Sequence, residues 1–243
     1  MVLALQSFNF LVELTSRSLT PRPQFQALND CVQAVQARRY LEIGSFEGRS
    51  ALLFSALAAC SEGHQSVHLT CVDSWEGGDE HKHGDVPMNT VEARFDQVIA
   101  HCKEWLGPGS QIEKIKALSV DGLRSIADRK DYYDLILIDA GHKAKDVLAD
   151  LVSAWPLLRP GGIVILDDYT WMPRHVGTSL QLNSPKLGID AFCSCYADEL
   201  TIISQMPLLQ LYLLKESPLS QGAYFRCIRN ADLPDLLRQS SLF

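Results

Sequence analysis

Four apolar runs in this chain close on carboxylates: Glu42, Asp73, Asp139 and the pair Asp167-Asp168. Stability alone does not explain them, because a carboxylate taken out of water without a partner costs several kcal/mol. They must face a cleft, a cation or both. Asp139, Asp167 and Asp168 are three hard oxygen donors, suited to Mg²⁺ with waters or substrate completing an octahedron. The competing explanation is that Asp167 closes a strand, Asp168 caps a turn and Asp139 holds a loop. His142, three residues beyond Asp139, has the near-neutral pKa that suits a general base, although a loop histidine is as readily a solvated one.

The first of these carboxylates lies in the stretch Tyr-Leu-Glu-Ile-Gly-Ser-Phe-Glu-Gly-Arg-Ser at 40–50, which runs straight into the apolar segment Ala51 to Ala59. A strand that turns so abruptly into a helix needs backbone freedom, supplied by Gly44, and close packing at the helix start, permitted by Gly48. A dinucleotide site would want Gly-x-Gly-x-x-Gly. Here Phe46 stands at the middle glycine and the anionic Glu47 follows it, so a phosphate is a poor guest. A ligand with an amino group and a positive centre fits better, and S-adenosylmethionine is the common one. Asp73 comes about 25 residues after Gly48, near the interval at which an acidic residue accepts ribose hydroxyls, although it could equally cap a turn. Ser119, with the Val120 backbone N–H, stands where a nucleobase edge would be read. Trp75 stacks on a base or packs at the cleft edge; the sequence leaves both open. His81-Lys82-His83 is either a metal pair or a charged loop on the cleft rim.

Positioning these residues requires a sheet, and the pattern provides one. Strand runs at Arg39–Ile43, His68–Asp73, Ile112–Lys116, Asp134–Asp139 and Gly162–Asp167 alternate with helical spacing at Arg49–Ala59, Thr90–Trp105, Asp121–Ala127 and Ala144–Leu158. That is the rhythm of an α/β, doubly wound, mostly parallel sheet, in which ligands sit at the carboxyl ends of the strands. Arg159-Pro160-Gly161-Gly162 reads as a turn. Trp171 to Pro185 reads as a long loop of the kind that forms lids, followed by a short helix near Gly188–Tyr196. Leu200–Ser204 and Leu208–Lys215, joined by Met206-Pro207, read as a closing antiparallel hairpin. Residues 1–38 look like a helical extension that covers a sheet edge or a homodimer face, ahead of a single domain over 39–243.

Composition narrows the partners. With 243 residues and 47% hydrophobic content the chain can bury one sizeable core. A formal charge of −7 without a basic block disfavours nucleic acid and favours small molecules. No apolar run approaches the ~20 residues of a membrane helix, and the first residues lack the basic flank of a signal peptide, so a soluble, cytoplasmic protein is expected. The seven cysteines, Cys31, Cys60, Cys71, Cys102, Cys193, Cys195 and Cys227, contain no Cys-x-x-Cys pair. They fit reduced thiols better than disulfides or zinc, and Cys193 with Cys195 makes only two ligands.

With these residues in place, about residues 38–215 resemble the class I S-adenosylmethionine-dependent methyltransferases, in the branch of the catechol, caffeoyl-coenzyme A and macrocin O-methyltransferases. The segment Glu42-Ile43-Gly44-Ser45-Phe46-Glu47-Gly48-Arg49-Ser50 resembles that branch's first motif, which implies that Glu42, Gly44, Phe46 and Ser50 surround the methionine part of the cofactor and that Ser45 and Gly48 also belong to the cofactor site. Val72-Asp73-Ser74-Trp75 is similar to the ribose-binding segment. Leu137-Ile138-Asp139-Ala140 and Leu166-Asp167-Asp168-Tyr169 are similar to the two metal-ligand segments, implying Asp139, Asp167 and Asp168 as ligands of Mg²⁺. His142 falls where catechol enzymes place a catalytic lysine, and Asp168 replaces an asparagine. The resemblance implies methyl transfer to a small-molecule hydroxyl, with Asp139 and His142 at the reacting centre and acceptor recognition in the loop Thr170–Pro185. Rival functions are a metal-independent N- or C-methyltransferase, a nucleotide-dependent oxidoreductase and a non-catalytic binding module.

Overall fold

Tyr133–Ile138 is buried along its whole length, and Arg39–Ile43 is buried in all but its first residue. Strands covered on both faces in this way are the central strands of a parallel sheet. The computed structural model describes residues 22–60, 66–78, 87–172, 180–203 and 209–217. In chain order the described elements are α1 (Arg22–Val35), β1 (Arg39–Ile43), α2 (Arg49–Cys60), β2 (His68–Asp73), α3 (Met88–Leu106), β3 (Gln111–Lys116) and α4 (Ser119–Ser125). Then come β4 (Tyr133–Ile138), α5 (Ala144–Ala154), β5 (Leu158–Leu166), α6 (Pro185–Cys195), β6 (Leu200–Ile203) and β7 (Leu211–Lys215).

Among the described residues the sheet has seven strands in the order β3-β2-β1-β4-β5-β7-β6. The first five are parallel, and β7 runs antiparallel to both β5 and β6. The expected α/β doubly wound sheet with its closing hairpin is therefore the observed fold. Strand order reverses between β1 and β4, and a crevice opens beyond the carboxyl ends of strands at such a switch point. The α1, α2 and α3 side of the sheet packs one apolar layer around Tyr40, Phe54 and Phe95, and the α4, α5 and α6 side packs another around Leu41, Trp155 and Phe192. Among the described residues no helix is long and apolar enough to cross a membrane.

Several boundaries differ from expectation, most by one to three residues, and three of the differences have a physical cause in the structure. The helix expected over Ala144–Leu158 stops at Ala154, and a short 3₁₀ turn, Trp155–Leu157, follows. Pro156 in that turn cannot donate a helical hydrogen bond. The turn expected at Arg159–Gly162 is instead the irregular first half of β5, where the register against β4 shifts between Tyr133 and Leu135. Arg159 Nε donates to Asp134 Oδ1 at 2.6 Å, while the Arg38 and Arg39 amides donate to Asp134 Oδ2 at 2.9 and 2.8 Å. One buried carboxylate thus fixes β5 beside β4 and the start of β1, and charged side chains override the Pro-Gly-Gly signal. Finally, α6 begins at Pro185, a residue whose fixed φ suits the first helical position.

The expectations for residues 1–21, His81 and His83, most of the loop before α6, Met206-Pro207, the last ~25 residues and the Cys60 and Cys227 side chains lie outside the described residues. Of the described cysteines, Cys31, Cys71, Cys102 and Cys193 are buried free thiols and Cys195 is exposed.

Candidate active site

The turn after β1 is held by backbone geometry. Gly44 has φ +88° and donates its N–H to the Val72 carbonyl at 2.8 Å. A Cβ at Gly44 would collide with the Asp139 carbonyl, so β1 and β4 approach as closely as they do only because this residue is glycine. Gly48, at φ +82°, sits against Phe95 of α3, where an added Cβ would lie 3.0 Å from the ring. Its role is helix packing.

Asp73 links this turn to the next one. Its Oδ2 accepts the Phe46 N–H at 2.9 Å and its Oδ1 accepts the Trp75 N–H at 2.6 Å. Each oxygen keeps acceptor capacity toward the cleft. Trp75 does not face a ligand. It is 4% exposed, its ring lies 4.7 Å from Phe95, Lys114 Nζ sits 4.6 Å above it, and its Nε1 donates to the Phe46 carbonyl at 2.8 Å. Of the two roles the sequence left open, the structure gives Trp75 the packing one: the indole is held by Phe95, Lys114 and the Phe46 carbonyl.

Beyond β1 and β4 lies a cleft of about 460 Å³, within the ~300–1,000 Å³ usual for small-molecule sites. Of the residues singled out from sequence, Gly44, Phe46, Asp73, Ser74, Ser119, Val120 and Asp139 line it. Glu42, Ser45, Gly48, Ser50 and Trp75 are not in its wall. Glu42 lies beneath the floor at 1% exposure, where Cys71 Sγ donates to its Oε2 at 3.7 Å. Burial pushes its carboxyl up to about 8, Asp73 adds to the rise, and Ser45, Ser50 and Cys71 pull back.

The cleft also contains residues that sequence reasoning missed: Gly77-Gly78, Met88, Leu118, Asp121 and Asp146. The glycine pair was a visible turn signal. Leu118, 62% exposed, carried none. Asp73, Asp121, Asp139 and Asp146 give the wall four carboxylates, and among the described lining residues there is no lysine or arginine. Such a wall repels phosphates and favours a cationic or neutral guest.

A smaller pocket adjoins this cleft and shares Asp139, Ala140 and Gly141 with it; its other residues include His142, Asp167 and Asp168. His142 Nε2 and Asp168 Oδ2 are 2.7 Å apart, and the imidazole stacks on Trp171 with centroids 4.4 Å apart. Asp168 holds φ +55°, and its N–H is accepted by Asp167 Oδ1 at 2.8 Å. Asp139 is exposed where it opens onto the cleft. Crowding by the surrounding protein first, and the Asp167 and Asp168 carboxylates next, hold its carboxyl above the ordinary range. Burial and Asp168 also raise Asp167, while the Asp168 N–H, Gln210 and His142 pull it down. The three aspartates expected to ligate Mg²⁺ therefore neighbour one another. Among the described residues, however, no three His, Cys, Asp or Glu side chains converge as a metal-holding group, since Asp168 turns to His142 and Asp167 to the backbone.

The fold is similar to that of several solved structures. An O-methyltransferase from Bacillus cereus, solved with SAH, matches at TM-score 0.54 and 21% identity, covering 87% of this chain and 89% of that one. TomG, an O-methyltransferase from Streptomyces achromogenes solved with SAM, matches at TM-score 0.56 and 20% identity over 82% of each chain. The SAH-bound methyltransferase PaMTH1 of Podospora anserina matches at 0.56 and 13%, covering 82% of this chain and 80% of that one. At such identities the likeness is one of fold. In sequence, 139 residues are 27% identical to an uncharacterised Sinorhizobium fredii protein, y4gI; the match takes in 56% of this chain but spans only 14% of that relative. Residues 41–169, over half of the 243, match the family described as "Methyltransferase domain", and the chain belongs to that methyltransferase family.

Proposed function

We propose that this protein binds S-adenosylmethionine in the large cleft and transfers its methyl group to a hydroxyl of a small-molecule acceptor. The observation that carries this is the sharing of Asp139, Ala140 and Gly141 between the cleft and the His142–Asp168 pocket, which sets a cofactor site directly against a proton acceptor. In this arrangement Asp73 accepts the ribose hydroxyls, Ser119 and Val120 meet the nucleobase, and the Gly44 turn over Glu42 receives the methionine end. The carboxylate-rich wall suits a sulfonium and disfavours a dinucleotide, and the net charge of −7 favours a small acceptor over nucleic acid.

The sulfonium is already a good electrophile, so most of the rate would come from holding the acceptor oxygen in line with the methyl group. The acceptor's proton passes to His142. With Nε2–H given to Asp168, the lone pair is on Nδ1, which protein atoms cover in this structure; an entering acceptor must displace that cover. The Asp139, Asp167 and Asp168 side chains have the hard-oxygen chemistry of a Mg²⁺ site, and their mutual repulsion is what a cation would relieve. When bound, the ion would supply a Lewis acid that lowers the pKa of the acceptor hydroxyl.

Calorimetry with S-adenosylhomocysteine and with NADH tests the cofactor. Binding of the first and not the second is expected, and the reverse would sink the proposal. Methyl transfer from labelled S-adenosylmethionine to a panel of phenols and alcohols, with and without EDTA, then tests the ion. Activity that survives chelation removes Mg²⁺ from the scheme and leaves the His142–Asp168 pair.

A further inference from the structure

Two bulky residues beside the large cleft hold backbone conformations that side chains rarely allow. Phe46, in the turn after β1, has φ +43°, and Trp75, in the turn after β2, has φ +54°. A left-handed backbone at such residues is strained and persists only where its surroundings over-determine it. Here each holds the other. Asp73 Oδ2 accepts the Phe46 N–H at 2.9 Å and Asp73 Oδ1 accepts the Trp75 N–H at 2.6 Å, while Trp75 Nε1 donates back to the Phe46 carbonyl at 2.8 Å. The indole is anchored in turn. Its ring lies 4.7 Å from Phe95 of α3 and 4.6 Å from Lys114 Nζ, and that ammonium is tied to Glu92 and Asp96 of α3 at 2.8 and 2.7 Å. Phe46 and, just beyond Trp75, Gly77 line the cleft, whereas the indole itself does not.

We propose that Trp75 is a positioning residue whose indole N–H locks the strained Phe46 turn, so that the turn is already in its binding shape when the methionine end of the cofactor arrives. This rests on the binding of S-adenosylmethionine proposed above. Trp75 acts here without touching the ligand. Asp73 fixes the peptide plane before Phe46 and the indole fixes the plane after it, so both backbone angles of Phe46 are set from the end of β2. Without the indole bond the second plane is released, and strain drives the turn toward conformations that a phenylalanine prefers. A ligand that binds only the ordered turn then loses apparent affinity with the fraction of molecules that keep it.

The test reads the turn first without ligand and then with it. Trp75 is replaced in the full chain by benzothienylalanine, which keeps the shape of the indole but puts a sulfur where the N–H was. Hydrogen exchange of the Phe46 amide in the ligand-free protein should quicken about tenfold, the worth of one good hydrogen bond. It should do so by a local opening, insensitive to low denaturant and faster than exchange in β4. Calorimetry should show affinity for S-adenosylhomocysteine falling by about twofold to tenfold, and saturating ligand should restore slow exchange. Unchanged exchange at Phe46 overturns the lock, and so does quickened exchange with unaltered affinity. Quickening that comes only with unfolding of the whole molecule, at the rate of β4, makes Trp75 a core residue and overturns it too. A wild type that binds no S-adenosylhomocysteine instead overturns the methyl-donor assignment while the exchange result stays legible, so the two failures are distinguishable. Should the analogue not fold, Trp75→Phe, which also lacks the donor, is read in the same way. In the wild type itself, a Trp75 indole N–H that exchanges as fast as an exposed one rejects the lock outright.

Discussion

At the scale of single residues, the proposed function gives Asp73 a part in binding and the His142–Asp168 pair a part in the chemistry, and substitutions separate the two. Asp73 takes two backbone N–H groups, from Phe46 and Trp75, and still faces the cleft. Asp73→Ala should therefore weaken S-adenosylhomocysteine binding at least tenfold and cost about 1–3 kcal/mol of stability, because two donors lose their acceptor. Calorimetry and denaturant unfolding measure the two losses. Asp168→Asn should behave differently. It leaves the cleft wall intact but no longer fixes the His142 tautomer through Nε2, so turnover should fall by about 10²–10⁴ with cofactor affinity kept within a few-fold. A parallel loss of affinity would place Asp168 in the cofactor site instead. Residues such as Asp73 and Asp139 were legible in the sequence because a carboxylate that closes an apolar run has few places to go. Trp75 was not, since the direction of its ring is set by Phe95 and Lys114, 20 and 39 positions further along the chain.

At the scale of elements, the site depends on how closely helices and strands approach. The strands β1 and β2 fall on their expected boundaries, because period and bounding residues agree there. Boundaries moved where a long-range contact decided them, as at β5, whose start is tied by Asp134 to segments more than 90 residues away. Gly188 shows the same logic within α6. A Cβ there would collide with the Ala144 carbonyl at the start of α5 and stand 3.2 Å from its Cα. The contact therefore fixes the first turn of the helix that leaves the His142 loop and carries Asp146 and Asp150. Gly188→Ala should cost roughly 1–3 kcal/mol from overpacking and reduce turnover more than cofactor binding, as α5 shifts against its neighbour. A melting temperature within about 1 °C of wild type would mean that the two helices adjust freely; a domain this size should lose several degrees for that energy.

At the scale of the whole molecule, the buried acids should leave a signature in how ligand-free stability depends on pH. The folded carboxyl of Glu42 lies at about 8 against 4.5 in a solvated chain, and that of Asp150 at about 7 against 3.8. Both are raised, so between the two values the folded protein holds protons that the unfolded chain has released. The stability these groups contribute is complete below the unfolded pKa and drains away as pH climbs through the folded one, by up to about 1.4 kcal/mol per pH unit for each. Glu113, held low by Arg129, acts in the opposite sense, but its contribution is already complete above its unfolded pKa near 4.5. His68, lowered by burial and by Arg129, also opposes them: its contribution is complete above 6.5 and lost as pH falls below that. A difference against a variant removes both. Glu42→Gln keeps the shape of the protonated acid and cannot ionise, so its melting temperature should fall less between pH 5.5 and pH 8 than that of the wild type. Parallel curves would mean that Glu42 meets water or a cation in the folded state, and the dry floor assigned to the cleft would be wrong.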